Sequence, residues 1–431
     1  MISDRLAGRL AARNIHYGWV VAGATFLTML ATAAAMGSAG VLIDPLQREF
    51  GWSNAEISSA LALRLVLYGL FGPFAAALMN HFGIRKVVSV ALLLIIGGIA
   101  CSFAMTKIWQ MVLLWGVVVG IGTGITALVL GATVAARWFT KRRGLVVGLM
   151  TASNATGQLV FLPMVADLTE RYGWRWGLCL VIAVLFVAML CVLALMRDHP
   201  ADLGLPRYGD AAVTPAQKQQ RSLVELIASP IGVLREAARA PVFWALFFTF
   251  YVCGFSTNGL VQTHWISICG DYGVAAVGAA GILAVIGAFD LVGTIGSGWL
   301  SDRYDNRWLL FWFYGLRGLS LLYLPFTGFD IYALSLFAVF YGLDWVATVP
   351  PTVKLSAERF GPERAGLVFG WVFAGHQLGA ASAAFFAGAI RTELDSYMPA
   401  IFVAGTLCLM AAGLIISLRR HDPARPALQA A

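Results

Sequence analysis

The chain has 431 residues, 59% of them hydrophobic and only 12% charged, with a mean hydropathy of +0.79. A soluble globular domain carries roughly 25% charged residues, so the composition excludes a wholly water-facing surface and calls for a lipid-facing one. The formal charge of +8, from 30 Lys and Arg against 22 Asp and Glu, fits nucleic acid, anionic lipid or the basic bias of membrane loops, and the placement of the charges decides among them.

The chain begins with a basic segment, MISDRLAGRLAARNIHYGW, and then an apolar run too long for the core of a cleaved signal. It reads as an uncleaved first span. Apolar runs of about the 20 residues a bilayer requires follow, and the spans fall at approximately 16–40, 54–79, 86–106, 109–136, 144–166, 174–196, 241–269, 278–300, 308–328, 330–353, 364–390 and 397–418. The polar interval 197–240 divides these twelve spans six and six. The expected fold is therefore an all-α polytopic membrane protein with an N-terminal six-helix bundle over 1–196, a central loop over 197–240 and a C-terminal six-helix bundle over 241–431.

Twelve spans put both termini on one side. The loops of that side hold 22 Lys and Arg and those of the other side five, which predicts cytoplasmic termini and a cytoplasmic central loop. The positive balance then needs no nucleic acid. Six scattered cysteines, with no Cys-x-x-Cys pair and no His cluster near them, read as small buried packing residues.

The two halves repeat. An offset of 222 carries Leu78 to Leu300 and Arg85 to Arg307, and it also carries Arg142, Gly144, Leu145, Val146, Gly148 and Gly157 to Arg364, Gly366, Leu367, Val368, Gly370 and Gly379. With six spans in each half the repeat is parallel, about an axis along the membrane normal. Gly298-Trp-Leu300-Ser-Asp302-Arg303 followed by Arg307, and its weaker partner around Asn80, His81, Gly83, Arg85 and Lys86, resemble the paired loop signature of the major facilitator superfamily. The resemblance covers all twelve spans. It implies a secondary transporter whose cytoplasmic gate network would involve Asp302, Arg303, Arg307, Asn80 and Arg85. Asn80 and His81 stand where the family usually has an acid and an arginine.

A narrower likeness follows from Tyr17-Gly18-Trp19, from Arg137-Trp138-Phe139 with Lys141 to Gly144, and from Tyr172-Gly173-Trp174-Arg175. These are similar to bacterial relatives of the monocarboxylate transporters and the oxalate:formate antiporter. That similarity implies a small organic anion, often moved with protons, and residence in a bacterial inner membrane. The Asp-x-x-x-Arg pair that monocarboxylate transporters carry in span eight is met at Asp290 but not at Thr294, so that group's anion-binding arginine has no counterpart here.

Asp290 lies ten residues before Leu300, about 15 Å from the membrane edge, and Arg317 and Asp344 reach similar depths in spans nine and ten. An ionisable group there is a functional candidate by default. The three form either a structural network or a proton-coupling one in which Asp290 releases its partner. Arg64, ten residues into span two, offers a planar bidentate donor for a carboxylate, or else a paired structural cation. His264 and His376 are the titratable candidates, while Asn154, Gln158, Asn258, Gln262 and Gln377 are neutral ones. Gly116, Gly120 and Gly124 form a packing row in span four rather than a nucleotide loop. Pro163, Pro325, Pro350 and Pro351 are the positions where a span could break.

The reading is a proton-coupled transporter of a small organic anion, most simply a monocarboxylate symporter working by alternating access. No cofactor or metal is expected, and the absence of an ATP-binding motif points to an ion gradient as the energy source. An exporter of hydrophobic compounds is the alternative within transporters, and a channel or a membrane-embedded enzyme the alternative outside them. No HExxH, paired-carboxylate or His/Cys metal spacing supports an enzyme.

Overall fold

The computed structural model describes residues 2–213 and 223–418, and no strand runs among them. The spans are α1 (Gly18–Phe50), α2 (Asn54–Phe82), α3 (Ile84–Ser102), α4 (Ile108–Trp138), α5 (Arg143–Tyr172), α6 (Trp174–Leu195), α7 (Pro241–Gly270), α8 (Ala276–Ser301), α9 (Asn306–Phe326), α10 (Ile331–Phe360), α11 (Pro362–Leu394) and α12 (Met398–Ser417). Ten of them are long and apolar enough to cross a membrane over described residues. The other two, α5 and α11, have 30 and 33 residues, more than the roughly 20 a bilayer needs. The long helices among the described residues give the expected class, that of an all-α integral membrane protein. We call the side where α1 begins the terminus face.

Several helices run past their apolar stretch. The first continues through Pro45 to Phe50 and ends on a left-handed Gly51, and α2 starts with a capping box between Ser53 and Glu56. Pro163 sits inside a continuous α5. Pro350 and Pro351 open the second segment of α10, where their missing N–H groups cost nothing. That helix is broken at 345–348 and α4 at 126–127, which the 222-residue offset carries to 348–349, where the break in α10 ends. A Cβ on Gly120 would come 3.2 Å from the Arg64 carbonyl, and one on Gly342 would come 2.6 Å from the Ile286 carbonyl. Both glycine and partner shift by 222, so the repeat holds at the level of helix contacts.

Across the halves, α2 packs on α11, α5 on α8, and α1 on the end of α7. Among the described residues, all four hydrogen bonds that join the halves lie away from the terminus face: Ser267 to Asp44 (2.8 Å), Tyr397 to Asn54 (3.2 Å), the Ala55 N–H to Thr392 (3.1 Å) and the Val277 N–H to Glu170 (3.3 Å). The halves are thus closed at the opposite face.

The polar interval is not a plain loop. The Tyr208 backbone pairs with Trp138, Thr140 and Lys141, its ring packs on Trp19 and Phe139, and a helix over Leu223–Ala237 contacts α2 and α11. The cysteines correct one expectation. Cys253, Cys269 and Cys408 are buried, but Cys101 and Cys179 are exposed and Cys191 is intermediate, as outward positions on lipid-facing helices allow.

Candidate functional site

The deep charges separate into two places. On the second half, Arg317 is fully buried and donates from Nε to Asp344 Oδ2 at 2.9 Å. It also donates to the carbonyls of Asp344 and Trp345 and to Cys253 Sγ at 2.9 Å. Asp290 does not pair with Arg317. Its Oδ1 accepts from Thr294 Oγ1 (3.0 Å) and from the Val346 N–H (2.9 Å), and Ser297 Oγ donates to the Ala347 carbonyl. Backbone groups freed by a broken helix must be satisfied inside the bilayer. Here Arg317 takes two stranded carbonyls, Ser297 a third and Asp290 a stranded N–H. The expected Asp290–Arg317–Asp344 network is thus present only as the Arg317–Asp344 pair, with Asp290 held separately by Thr294 and Val346 at the same break in α10.

Arg64 stands elsewhere. Its side chain is buried, and its guanidinium donates to the Ala35 and Met36 carbonyls of α1 at 3.4 and 3.3 Å. Both bonds are long, Nε has no partner, and no carboxylate pairs with it among the described residues. At the contact of the halves a crevice too narrow to hold a water joins Arg64, Met36 and Gly40 to Asn258, Gln262 and Thr263. Residues Phe255–Gln262 are wound as a π-helix, and Asn258 and Gln262, four apart, share the face that lines this crevice. A second crevice, with about 20 Å³ of room, meets the first at Met36 and reaches Tyr68, one turn along α2 from Arg64. Sequence reasoning missed Tyr68, although the offset of 222 pairs it with Asp290.

Neither histidine lines these clefts. The His264 Nε2 bonds the Ala384 carbonyl at 2.9 Å and its ring lies against Tyr397. The His376 ring stacks on Phe373, and its Nδ1 accepts from Gln377 at 3.2 Å. Both are packed between helices. Asn154 and Gln158 lie on α5, but their side chains fall outside the described residues. Among the described residues no three of His, Cys, Asp and Glu gather as a metal site.

The five expected gate residues sit at the terminus face, and among the described residues none of their partners lies in the opposite half. Asp302 pairs with Lys354 (3.1 Å) rather than across its loop, and Arg303 lies over the Trp299 ring. Arg307 pairs with Asp305 at 2.8 Å and donates to the Leu418 carbonyl at the end of α12. In the first half Arg85 donates to the Leu193 carbonyl near the end of α6, and Asn80 accepts from Arg137. The repeated arginines thus complement the carbonyl ends of the sixth and twelfth helices. Asp198, from the central interval, accepts from the Arg85 N–H at 2.9 Å, as Asp305 accepts from the Arg307 N–H at 3.0 Å. Beside it, burial and then the nearby Arg137 hold the His199 imidazole below its usual pKa.

The Major Facilitator Superfamily model matches residues 24–384 and 291–431. Among similar proteins are the uncharacterized MFS-type transporter YcxA of Bacillus subtilis, 22% identical over 92% of this chain and 93% of its own length, and monocarboxylate transporter 13 of Rattus norvegicus, 28% identical over 93% and 89%. The fujikurins efflux protein of Gibberella fujikuroi is 24% identical over 93% and 82%. Among solved structures, the xylose transporter XylE of E. coli, in a partially occluded inward open conformation, shares the fold with a TM-score of 0.71 at 13% identity, over 96% of this chain and all of that one.

Proposed function

The chain belongs to the major facilitator superfamily and is a membrane transporter, not an enzyme, and we propose that its cargo is a small organic anion, a monocarboxylate, moved with protons. One observation carries this: Arg64, a deep cation without an acid, facing two carboxamides across the contact of the halves. A guanidinium keeps its charge in any conformation and binds a carboxylate with two parallel bonds. An arriving carboxylate would replace two long carbonyl contacts and meet the free Nε, while Asn258 and Gln262 add neutral donors from the other half. Binding there pulls the halves together, as alternating access requires. The monocarboxylate transporter relatives support the same class of cargo.

In this reading residues 1–196 and 241–431 rock as units, 197–240 tethers them, and the terminus face is cytoplasmic by its basic loops. The closed opposite face then makes this an inward-facing state of an inner-membrane protein. Protons enter through Asp290, whose Oδ1 holds the break while Oδ2 stays available for a proton. Asp302, Arg303, Arg307, Asn80 and Arg85 set the stiffness of the terminus face within each half. An exporter of hydrophobic compounds is the second reading; a relative named for efflux favours it.

Uptake into proteoliposomes of Arg64→Lys and Arg64→Gln tests the anion site. A hydrogen bond to a charged group is worth about 1.5–3 kcal/mol, so both variants should lose roughly tenfold or more in apparent affinity for carboxylates, Lys included. Unchanged kinetics in Arg64→Lys would remove the arginine from this role.

A further inference from the structure

The matched packing of the two halves fails at one place. In the first half α5 packs along α6, and a Cβ on Gly177 would lie 3.0 Å from the Val165 carbonyl. Their counterparts α11 and α12 meet over much less of their length. A groove with about 330 Å³ of room runs there, with Phe255 and Leu260 of α7 in its lining. The offset of 222 carries Phe161, Val165 and Leu178 to Ala383, Ala387 and Ala400, and all three alanines line the groove. Val165 and Leu178 are buried. Where the first half has three large apolar side chains, the second has three methyl groups.

The groove opens outward. Phe386 and Val403 on its lining are 54% and 47% exposed, and Phe385 and Phe402 beside them are exposed as well. Its residues on α11 and α12 lie toward the ends of those helices away from the terminus face, so the mouth meets the hydrocarbon of that leaflet. Tyr251 carries the one polar side chain in the lining, which leaves little for water to bond. We propose that a lipid acyl chain of the leaflet opposite the terminus face lies in this groove, in the place that Phe161, Val165 and Leu178 fill in the first half. Ala383, Phe386, Ala387 and Ile390 share one face of α11 over about 10 Å, a straight bed that suits an unbranched chain. Phe255 and Leu260 belong to the π-wound segment whose other face carries Asn258 and Gln262. The chain therefore backs the candidate site without depending on what that site carries.

The test is photolabelling of the full-length protein in phosphatidylcholine nanodiscs that carry a trace of straight-chain phosphatidylcholine with a diazirine midway along one chain. Mass spectrometry compares label on the α11 and α12 peptides that line the groove with label on Trp312 and Leu316, exposed on α9. Ala387→Val with Ala400→Leu imports the first half's side chains, and this double variant should lower the ratio of groove label to α9 label roughly fivefold or more. Ala383 is left unchanged, because a Cβ on Gly259 would already lie 2.6 Å from its own Cβ. A second measurement needs no variant. With diphytanoyl phosphatidylcholine as host, the methyl branches fit the bed poorly, so the straight-chain probe should label the groove of the unmodified protein severalfold more, relative to α9, than it does in a straight-chain host. Equal ratios in the two hosts, or a folded double variant labelled like the parent, would overturn the proposal and reduce the groove to ordinary lipid-facing surface.

Discussion

The breaks in the two halves fall at adjoining places in the repeat, and their surroundings are chemically opposed. Around the break in α10 stand Asp290, Ser297, Arg317 and Asp344; the offset of 222 puts Tyr68, Ala75, Ile95 and Gly122 at the matching positions around α4. In the second half a guanidinium reaches across to stranded carbonyls and a carboxylate holds a stranded N–H. In the first half Gly122 lets the backbone press on Ile95, where an added Cβ would lie 2.6 Å from Cγ1, and the hydroxyls of Thr123 and Thr126 turn back on their own helix. The bilayer imposes one requirement on both, that no backbone group be left bare. Local hydroxyls meet it with a single side-chain link to a neighbour, Thr32 of α1 to Thr126, whereas long charged side chains meet it by clamping α8, α9 and α10 together. The charged half is consequently the fixed one, and the half with neutral chemistry at its break is free to place Arg64 beside a cleft.

Importing the first half's solution into the second breaks the comparison most severely. Arg317→Ile leaves Asp344 buried without its partner and two carbonyls without a donor, and removal of one member of a buried pair costs about 3–5 kcal/mol. The protein should fail to purify as a monodisperse species or melt far below the parent. Arg317→Ile with Asp344→Gly, the pair found at Ile95 and Gly122, removes the orphaned charge and should recover much of that loss. A double mutant no better than the single would mean that the charges do more than answer each other. Next in size are Gly342→Ala and Gly120→Ala, at matched contacts. The nearer carbonyl, 2.6 Å against 3.2 Å, predicts the larger fall in melting temperature at Gly342, with overpacking typically costing about 1–3 kcal/mol. Equal shifts would contradict the tighter packing of the charged half.

How much of this was legible in the sequence follows from what each signal encodes. Hydropathy and the offset suffice for twelve helices and two halves because the bilayer fixes their length and the repeat fixes their number. The depth of Asp290, Arg317 and Asp344 was legible by counting, but not their partners, since the Val346 N–H becomes free only once α10 breaks at 345–348. The prolines just beyond that break were the available hint. The histidines drew attention as titratable groups, yet a chain with buried faces on every helix does not reveal that His264 looks toward Ala384 and His376 toward Phe373. Asn258 and Gln262 were legible as polar residues on one helix face, but not that this face meets Arg64 across the halves. The cap on Arg85 was hidden for another reason: Asp198 lies 113 residues away.

That cap supplies a smaller test. Asp305→Ala and Asp198→Ala each remove an acceptor from the first turn of a helix, worth about 1 kcal/mol, and Asp305 also loses its pairing with Arg307. The Asp305 variant should therefore melt lower than the Asp198 one. The reverse order would show that the remote cap matters more than the local one.

The smallest expected change in stability, and the one that separates scaffold from carrier, belongs to Asp290→Asn. Its counterpart Tyr68 cannot exchange a proton near neutral pH in the ordinary range of a phenol, so the proposed coupling would rest on the second half alone. The amide keeps a carbonyl oxygen for the Val346 N–H and the Thr294 hydroxyl, so the break should hold and the melting temperature should move little. What the amide lacks is a site that binds and releases a proton. In proteoliposomes the variant should still exchange labelled for unlabelled carboxylate but should no longer concentrate it when a proton gradient is imposed. A marked loss of stability with coupling intact would make Asp290 a structural acceptor whose charge is required, and a stable variant that still accumulates cargo under a proton gradient would move proton coupling to another residue.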